Sequence, residues 1–176
     1  DALMARTRNR ALPAGRLEPK VAIYFGSILL LLALPLLTVF ANLLTAFLGF
    51  LGTVLYVFAY TPMKFKSSLA LQVGAIPGAI PPLMGWTAVT GEITAGGMAL
   101  FGILFCWQFT HFLAISLYQA EDYHKANIKV YPNIKGVGFT KLIIFISCII
   151  MVISSVLPVY FGFSGQVYLM AALAMG

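Results

Sequence analysis

The fold is decided by the stretch 21-VAIYFGSILLLLALPLLTVFANLLTAFLGFLGTVLYVFAY-60, which holds forty residues and no charged side chain. A bilayer core of about 30 Å requires about 20 apolar residues in one helix, so this stretch is long enough to cross twice. It predicts two transmembrane helices, at 21–39 and 43–60, joined by the short connection 40–42.

The rest of the chain repeats this pattern. Hydrophobic residues make up 61% of the sequence and charged residues 9%, so most of the chain has no polar face to offer water. This composition excludes a soluble fold, a nucleic-acid binder and a disordered tail. We therefore predict an all-α, multi-span transmembrane helical bundle with five complete spans and part of a sixth. The further spans are predicted at 69–88, 98–118, 142–161 and 166 onward.

The charges predict the orientation in the membrane. The net charge is +6, and all 11 Lys and Arg residues fall in three of the polar segments. By the positive-inside rule these segments face the cytoplasm or an organelle matrix. We expect an integral protein of a bacterial cytoplasmic membrane or a mitochondrial inner membrane, with the lipid bilayer as a partner. The basic segments are 1–20, 61–68 and 119–141, and the segments without Lys or Arg are 40–42, 89–97 and 162–165.

The span 69–88 is unusual because three prolines and three glycines interrupt it. Such residues break helices in water, and in membranes they persist where neighbouring helices or a cavity satisfy the backbone. Two interpretations remain open, namely tight packing through small residues and a bent helix that lines a pocket. A channel or transporter subunit would also use such a span as its substrate path.

The first basic segment combines a carboxylate with guanidinium groups. If its start is helical, Arg6 and Arg10 share one face, with Asp1 about one turn away. Oxygen ligands for Mg²⁺ and forked donors for phosphate oxygens are what a magnesium diphosphate requires. In the second segment, Pro62 is expected to end the helix, which leaves Lys64 and Lys66 at the membrane surface. There they are placed to cap a phosphate.

The fourth predicted span carries polar residues on one face. Trp107, His111, Tyr118 and Asp122 recur at intervals of 4, 7 and 4, which predicts one stripe along a single helix. It would join a surface acid to a buried imidazole about 16 Å away. An ionisable residue inside a membrane span is a functional hypothesis by default, although a packing role for His111 stays open.

At this point the residues resemble a known family. Residues 1–15 match D-x-x-M-x-R-T-x-x-R-x-x-x-x-G, and residues 60–64 match YxxxK. Both motifs are similar to those of the UbiA intramembrane prenyltransferases. The stretches 78–86, 107–113 and 121–123 narrow the resemblance to the protohaem IX farnesyltransferase branch. The similarity runs through essentially the whole chain.

The resemblance implies a nine-helix bundle around a central cavity and transfer of a farnesyl group to a haem vinyl. Asp1 and Asp122 would belong to two acidic motifs that bind Mg²⁺. Arg6, Arg10 and Lys64 match diphosphate-binding positions, and Lys66 lies beside them. Asp1, Asp122 and Lys64 are thus the predicted catalytic residues.

The resemblance also implies the partners. Farnesyl diphosphate and haem b are the expected substrates, with His111 and Trp107 as predicted haem-binding residues and a downstream haem-modifying enzyme as a further partner. Phe65 stands where the family usually has Arg, and Thr110 where it usually has Pro. A quinone or chlorophyll precursor as acceptor, or a non-enzymatic channel or transporter subunit, remain the alternatives.

The ends of the chain suggest a fragment. The sequence begins at Asp1 without a Met and stops at Gly176 within an apolar run. We therefore expect a single transmembrane prenyltransferase domain over 1–176, truncated at both ends.

Overall fold

The computed structural model describes residues 7–175, and every regular element among them is a helix. This confirms the predicted all-α class. The elements are α1 (Pro19–Phe40), α2 (Leu43–Val54), a π-helical segment (Leu55–Tyr60), α3 (Thr61–Met63), α4 (Ala70–Thr90), α5 (Ala95–Tyr118), α6 (Ala120–Lys125), α7 (Tyr131–Lys135), α8 (Val137–Tyr160) and α9 (Gln166–Met175).

Among residues 7–175, four helical stretches are long and apolar enough to cross a membrane. The sequence predicts five complete spans, and the difference lies in α4. This helix has 21 residues and is therefore about 30 Å long, but its prolines and glycines lower its mean hydropathy. The chain is a multi-span membrane protein in either count. The four stretches are Pro19–Phe40, Leu43–Met63, Ala95–Tyr118 and Val137–Tyr160.

The long helices pack in the order in which they occur along the chain. α1 packs on α2, α2 on α4, α4 on α5, α5 on α8, and α8 on α9. The central position falls to α4, where Ala75 and Ala79 are fully buried. Small residues at helix contacts let the backbones approach closely, as is common in membranes. A core cluster of Leu48, Ile80 and Leu83 joins α2 to α4.

The interrupted span combines both interpretations drawn from its sequence. α4 is one continuous helix through Pro77, Pro81 and Pro82. A Cβ atom at Gly78 would overlap the side-chain amide of Gln108 on α5, so packing through small residues is confirmed. Gly78 also lines a cavity, together with Gly74, Pro77 and Pro81 of the same helix. The helix is therefore both a tight packing element and a cavity wall.

At one end of the bundle, a polar network ties α2 to α4. Asn42 caps α2 by accepting a hydrogen bond from the Thr45 backbone N–H at 2.8 Å, and its side-chain amide donates to the Thr87 carbonyl at 2.6 Å. The hydroxyl oxygens of Thr45 and Thr87 lie 2.9 Å apart. Both threonines are buried, so the network satisfies polar groups that neither lipid nor water reaches.

The three basic segments meet at the opposite end. Thr7, Lys64 and Lys129, one from each segment, line the same cavity. On the far side, Trp86 at the end of α4 packs its ring edge-on against Phe163, with ring centroids 5.3 Å apart. The sequence prediction that basic and neutral connections lie at opposite ends is thus consistent with the contacts of the described residues.

Cysteine labelling tests this arrangement. In a background in which Cys106 and Cys148 are replaced by alanine, Phe65→Cys and Lys135→Cys should react with an impermeant thiol reagent from one side of the membrane. Glu92→Cys should react from the other side, because it lies on a connection at the opposite end. All three positions are exposed, so each is open to the reagent. Labelling of positions 65 and 92 from the same side would contradict the fold.

Candidate active site

A cationic cavity lies where the three basic segments meet. Its volume is about 170 Å³, and the described residues that line it include three cations and no carboxylate. Such a set suits an anion with several negative charges, because Arg offers forked donors and Lys a compact positive charge. The lining residues are Thr7, Arg10, Tyr60, Lys64, Ala70, Leu71, Tyr123, Ile128, Lys129 and Val130.

A π-helical segment places Tyr60 and Lys64 in this cavity. The Thr61 hydroxyl donates to the Tyr56 carbonyl at 2.9 Å, and the Thr61 backbone N–H bonds to the same oxygen. One π turn inside a helix shifts the register of the following residues, and such turns often occur at functional sites. The expectation that Pro62 ends the helix is wrong, because the helical path runs on to Met63. Pro62 occupies the first turn of α3, where a missing N–H costs little.

The Lys64 ammonium is held beside an aromatic ring. Its Nζ atom lies 5.2 Å from the centroid of the Phe65 ring, a distance at which the ring face attracts a cation. Phe65 itself is exposed. The neighbouring Lys66 is also exposed and does not line the cavity, so the structure brings only one of the two predicted lysines to the site.

The third basic segment contributes Lys129, which the sequence reasoning missed. Asn127 adopts a left-handed conformation with φ 54°, which Asn tolerates better than most residues, and the chain turns back there. The Ile128 N–H then bonds to the Tyr123 carbonyl at 2.9 Å. Val130 is buried, and Gln72 of α4 donates to the Tyr131 hydroxyl. This turn and its anchor place Lys129 in the cavity.

A second, apolar cavity lies next to the cationic one. Its volume is about 400 Å³, and it runs along the faces of α2, α4 and α5, a size within the usual range for small-molecule pockets. Tyr60 stands at the junction, because its ring lies 5.3 Å from that of Tyr56 and against Gly74. The residues that line the apolar cavity are Gly49, Gly52, Thr53, Tyr56, Gly74, Pro77, Gly78, Ile80, Pro81, Met84, Gln108 and Phe112.

The predicted stripe from Trp107 to Asp122 does not lie on a single helix. α5 ends at Tyr118, and Gln119 has φ −109° and ψ 26°, outside the helical range. Asp122 therefore sits on the separate helix α6, half-buried, in a cavity of about 550 Å³ that it shares with Glu121. Successive helical residues point about 100° apart, so Tyr123 enters the cationic cavity while Asp122 faces the neighbouring one.

The two predicted haem-binding residues do pair. The rings of Trp107 and His111 stack with centroids 4.9 Å apart and planes at 10°. The prediction of a buried imidazole is wrong, because His111 is exposed and Trp107 is 48% exposed. Tyr118 is 90% exposed, so the aromatic face of α5 lies on the surface of the described residues.

The structure does not describe every predicted site residue. Asp1 and Arg6 lie outside the described residues. His124 lines a shallow cavity with Glu121 and Lys125. Within residues 7–175, no group of three or more His, Cys, Asp or Glu side chains is arranged to hold a metal ion.

Comparison with known proteins gives a consistent result. The UbiA prenyltransferase family profile matches residues 1–176. The protoheme IX farnesyltransferases of Anaeromyxobacter dehalogenans and Sorangium cellulosum are each 48% identical over 176 residues; these cover 100% of this chain and 60% and 63% of the two relatives. That of Myxococcus xanthus is 44% identical, with 100% of this chain and 60% of the relative covered. No solved structure matches the chain.

The chain thus spans about 60% of the length of these curated relatives. The family match extends over every residue, and the identity is well above the level at which folds and families are shared. The chain belongs to the UbiA prenyltransferase family.

Proposed function

We propose that the protein transfers a farnesyl group from farnesyl diphosphate to a vinyl group of haem b, with release of diphosphate. The observation that carries this proposal is the pair of adjoining cavities, one cationic and one apolar, with Tyr60 at their junction. An allylic diphosphate has the same two parts, a charged head and an apolar chain. The relatives are protoheme IX farnesyltransferases, which supports farnesyl as the chain and protohaem as the acceptor.

The diphosphate would lie among Arg10, Lys64 and Lys129. Charge-assisted hydrogen bonds from such cations stabilise the negative charge that develops on the leaving group. The prenyl chain would lie in the apolar cavity, which places the carbon–oxygen bond that breaks beside the ring of Tyr60. Few waters reach an apolar cavity, so the allylic cation is protected from early capture.

The reaction then balances without a protein nucleophile. The bond between the first farnesyl carbon and the diphosphate oxygen breaks, and the terminal vinyl carbon of haem b forms a bond to that farnesyl carbon. Water adds to the cation left on the haem side and loses a proton. The product carries one farnesyl and one hydroxyl group, and diphosphate leaves with the electron pair.

The proposed Mg²⁺ site needs few protein ligands. Mg²⁺ in proteins is usually held by one or two carboxylates together with substrate phosphates, so a cluster of three protein ligands is not required. Asp122 is the proposed source of one carboxylate: it lines a different cavity, but it is adjacent in sequence to Tyr123, which lines the cationic one. Asp1 is the proposed second. When bound, the ion neutralises charge on the diphosphate.

The acceptor would lie against α5. The stacked Trp107 and His111 rings form an exposed flat aromatic surface, which suits a planar porphyrin. Imidazole is also a common ligand of haem iron. The helix break at Gln119, between α5 and α6, separates this surface from the carboxylate of Asp122. We propose that His111 and Trp107 hold the haem and that the phosphates stay at the basic end.

The location follows from the distribution of charge. We propose that residues 1–176 belong to one prenyltransferase domain in a bacterial cytoplasmic or mitochondrial inner membrane. The basic segments would face the cytoplasm or matrix, since positive charge is retained there. A farnesylated haem is hydrophobic and reactive, so a downstream haem-modifying enzyme in the same membrane is the proposed partner.

Lys129 allows a direct test of the function. Membranes that contain the full-length protein, given haem b, farnesyl diphosphate and Mg²⁺, should yield farnesylated haem detectable by mass spectrometry. Lys129→Gln should lower kcat/KM for farnesyl diphosphate by about 10- to 100-fold, the value of one charge-assisted hydrogen bond. Lys125→Gln, the same change four residues earlier and outside the cavity, should have little effect.

The outcomes separate the alternatives. Equal losses in Lys129→Gln and Lys125→Gln would show that only the overall positive charge matters. Transfer to a quinone or chlorophyll precursor but not to haem b would correct the acceptor. No prenyl transfer and no Mg²⁺ dependence with any acceptor would favour a channel or transporter subunit.

For the metal site, Asp122→Asn should lower turnover by about 100-fold or more, because metal stabilisation of the leaving group is worth several kcal/mol and an amide replaces a carboxylate poorly. His124→Ala, two residues away and exposed, should change turnover little. Rates are compared over a Mg²⁺ titration. Ordinary Mg²⁺-dependent turnover in Asp122→Asn would remove it as a ligand.

The haem role of His111 is tested by separate substrate titrations. His111→Ala should raise the KM for haem b by about tenfold, leave the KM for farnesyl diphosphate unchanged and alter the absorption spectrum of bound haem. Tyr118→Ala, another exposed aromatic on the same helix, is the control. Equal losses for both substrates with an unchanged spectrum would assign His111 to the scaffold.

A further inference from the structure

At the far end of the apolar cavity, α2 and α4 meet through one side-chain contact. The cavity lies between the glycines of α2 and one face of α4, and its last residues are Gly49 and Met84. A Cβ atom at Gly49 would lie 3.0 Å from the Met84 Cε atom and 3.5 Å from Leu37 Cδ1 of α1. The methionine side chain therefore reaches across the cavity and touches the backbone of the opposite helix.

Met84 lies farthest from the cationic cavity among the α4 residues that line the apolar one. Gly74, at the near end, contacts Tyr60, and the ten residues from Gly74 to Met84 span about 15 Å of helix. Met84 packs against the core cluster of Leu48, Ile80 and Leu83, and Ile80 also lines the cavity. One flexible side chain therefore lies at the far end of the cavity, beside packed core residues.

We propose that Met84 sets the length of the prenyl chain that the protein accepts. This inference rests on the proposed function, and in particular on the prenyl chain lying in the apolar cavity with its diphosphate at Lys64. A prenyl chain that enters past Tyr60 extends towards Met84. In a longer chain, the added isoprene unit would reach the methionine side chain at the end of the cavity. Farnesyl diphosphate would fill the space up to that side chain.

Gly52 sets the width of the cavity halfway along. A Cβ atom there would lie 3.4 Å from Ile80 Cδ1, an ordinary contact distance, so a small side chain fits against Ile80 without displacing α4. Such a side chain would occupy the path of the prenyl chain before it reaches Met84. The length of the cavity, at Met84, and its width, at Gly52, can therefore be changed separately.

Competition binding measures the effect without an acceptor. Labelled farnesyl diphosphate is bound to the full-length protein in membranes and competed with geranyl and geranylgeranyl diphosphates, which are one isoprene unit shorter and longer. Met84→Ala should raise the affinity for the longer competitor relative to farnesyl diphosphate by about tenfold or more, as expected for several methylene groups in an apolar pocket. Met84→Phe should shift the ratio towards the shorter one.

Gly52→Ala is the second variant, and it should favour geranyl diphosphate by narrowing the cavity, because its Cβ just reaches Ile80. Met98→Ala, an exposed methionine of α5 outside the cavity, should leave all ratios as in the unmodified protein. A purely structural role of Met84 would lower yield or stability but would leave the ratios unchanged. The ratio is therefore the decisive measurement even where one variant folds poorly.

Two failures are distinguishable. If the unmodified protein binds none of the three prenyl diphosphates, the proposed function fails. If it binds farnesyl diphosphate but the ratios stay constant in the Met84 and Gly52 variants, the function stands and the assignment of Met84 is overturned.

Discussion

The ring of Tyr60 packs against the backbone of α4 at Gly74, and the positions of both cavities depend on this contact. A Cβ atom at Gly74 would lie 2.7 Å from the Tyr60 ring, so no larger residue fits without moving the ring. Were the ring displaced, the cationic cavity would lose one wall and the apolar cavity its near boundary. The glycine and the π turn before Tyr60 act together, since one supplies the space and the other the direction of the side chain.

The apolar surroundings explain why the charged side chains lie at one end of the bundle. Inside the bundle, several hydroxyl groups bond to their own helices, as Thr53 does to the Gly49 carbonyl at 3.0 Å and Ser147 to the Ile143 carbonyl at 2.7 Å. These groups satisfy themselves locally and leave apolar surfaces for packing and for lipid. Charged side chains have no such option, so Lys64 and Lys129 lie where the helices end and the connections converge.

The sequence was sufficient for what hydropathy controls. Every predicted apolar stretch is helical, and the two ends of the bundle separate basic from neutral connections, because burial in lipid acts on stretches of about 20 residues. The sequence did not predict where a single residue ends a helix and changes the direction of the chain. Nothing in the sequence around Gln119 resembles a helix breaker, yet the helix stops there and the periodicity that joined His111 to Asp122 no longer applies.

Lys129 was missed for a related reason. In the sequence it is one of several lysines in a basic connection and looks the same as Lys125. Only the left-handed turn at Asn127 and the packing of Val130 distinguish them, and both are properties of the folded chain. Lys64 could be found because its motif resembles that of a family, and Arg10 for the same reason.

The serial packing of the long helices has a consequence for how the protein assembles. Each long helix contacts the one before it in the chain, so contact order within the bundle is low and each new hairpin docks on a completed neighbour as synthesis proceeds. The cationic cavity is the exception, since it joins Arg10 to Lys129 across more than half of the chain. The complete cationic cavity therefore forms late in biogenesis, after the third basic segment has left the ribosome and the membrane helices before it have been made.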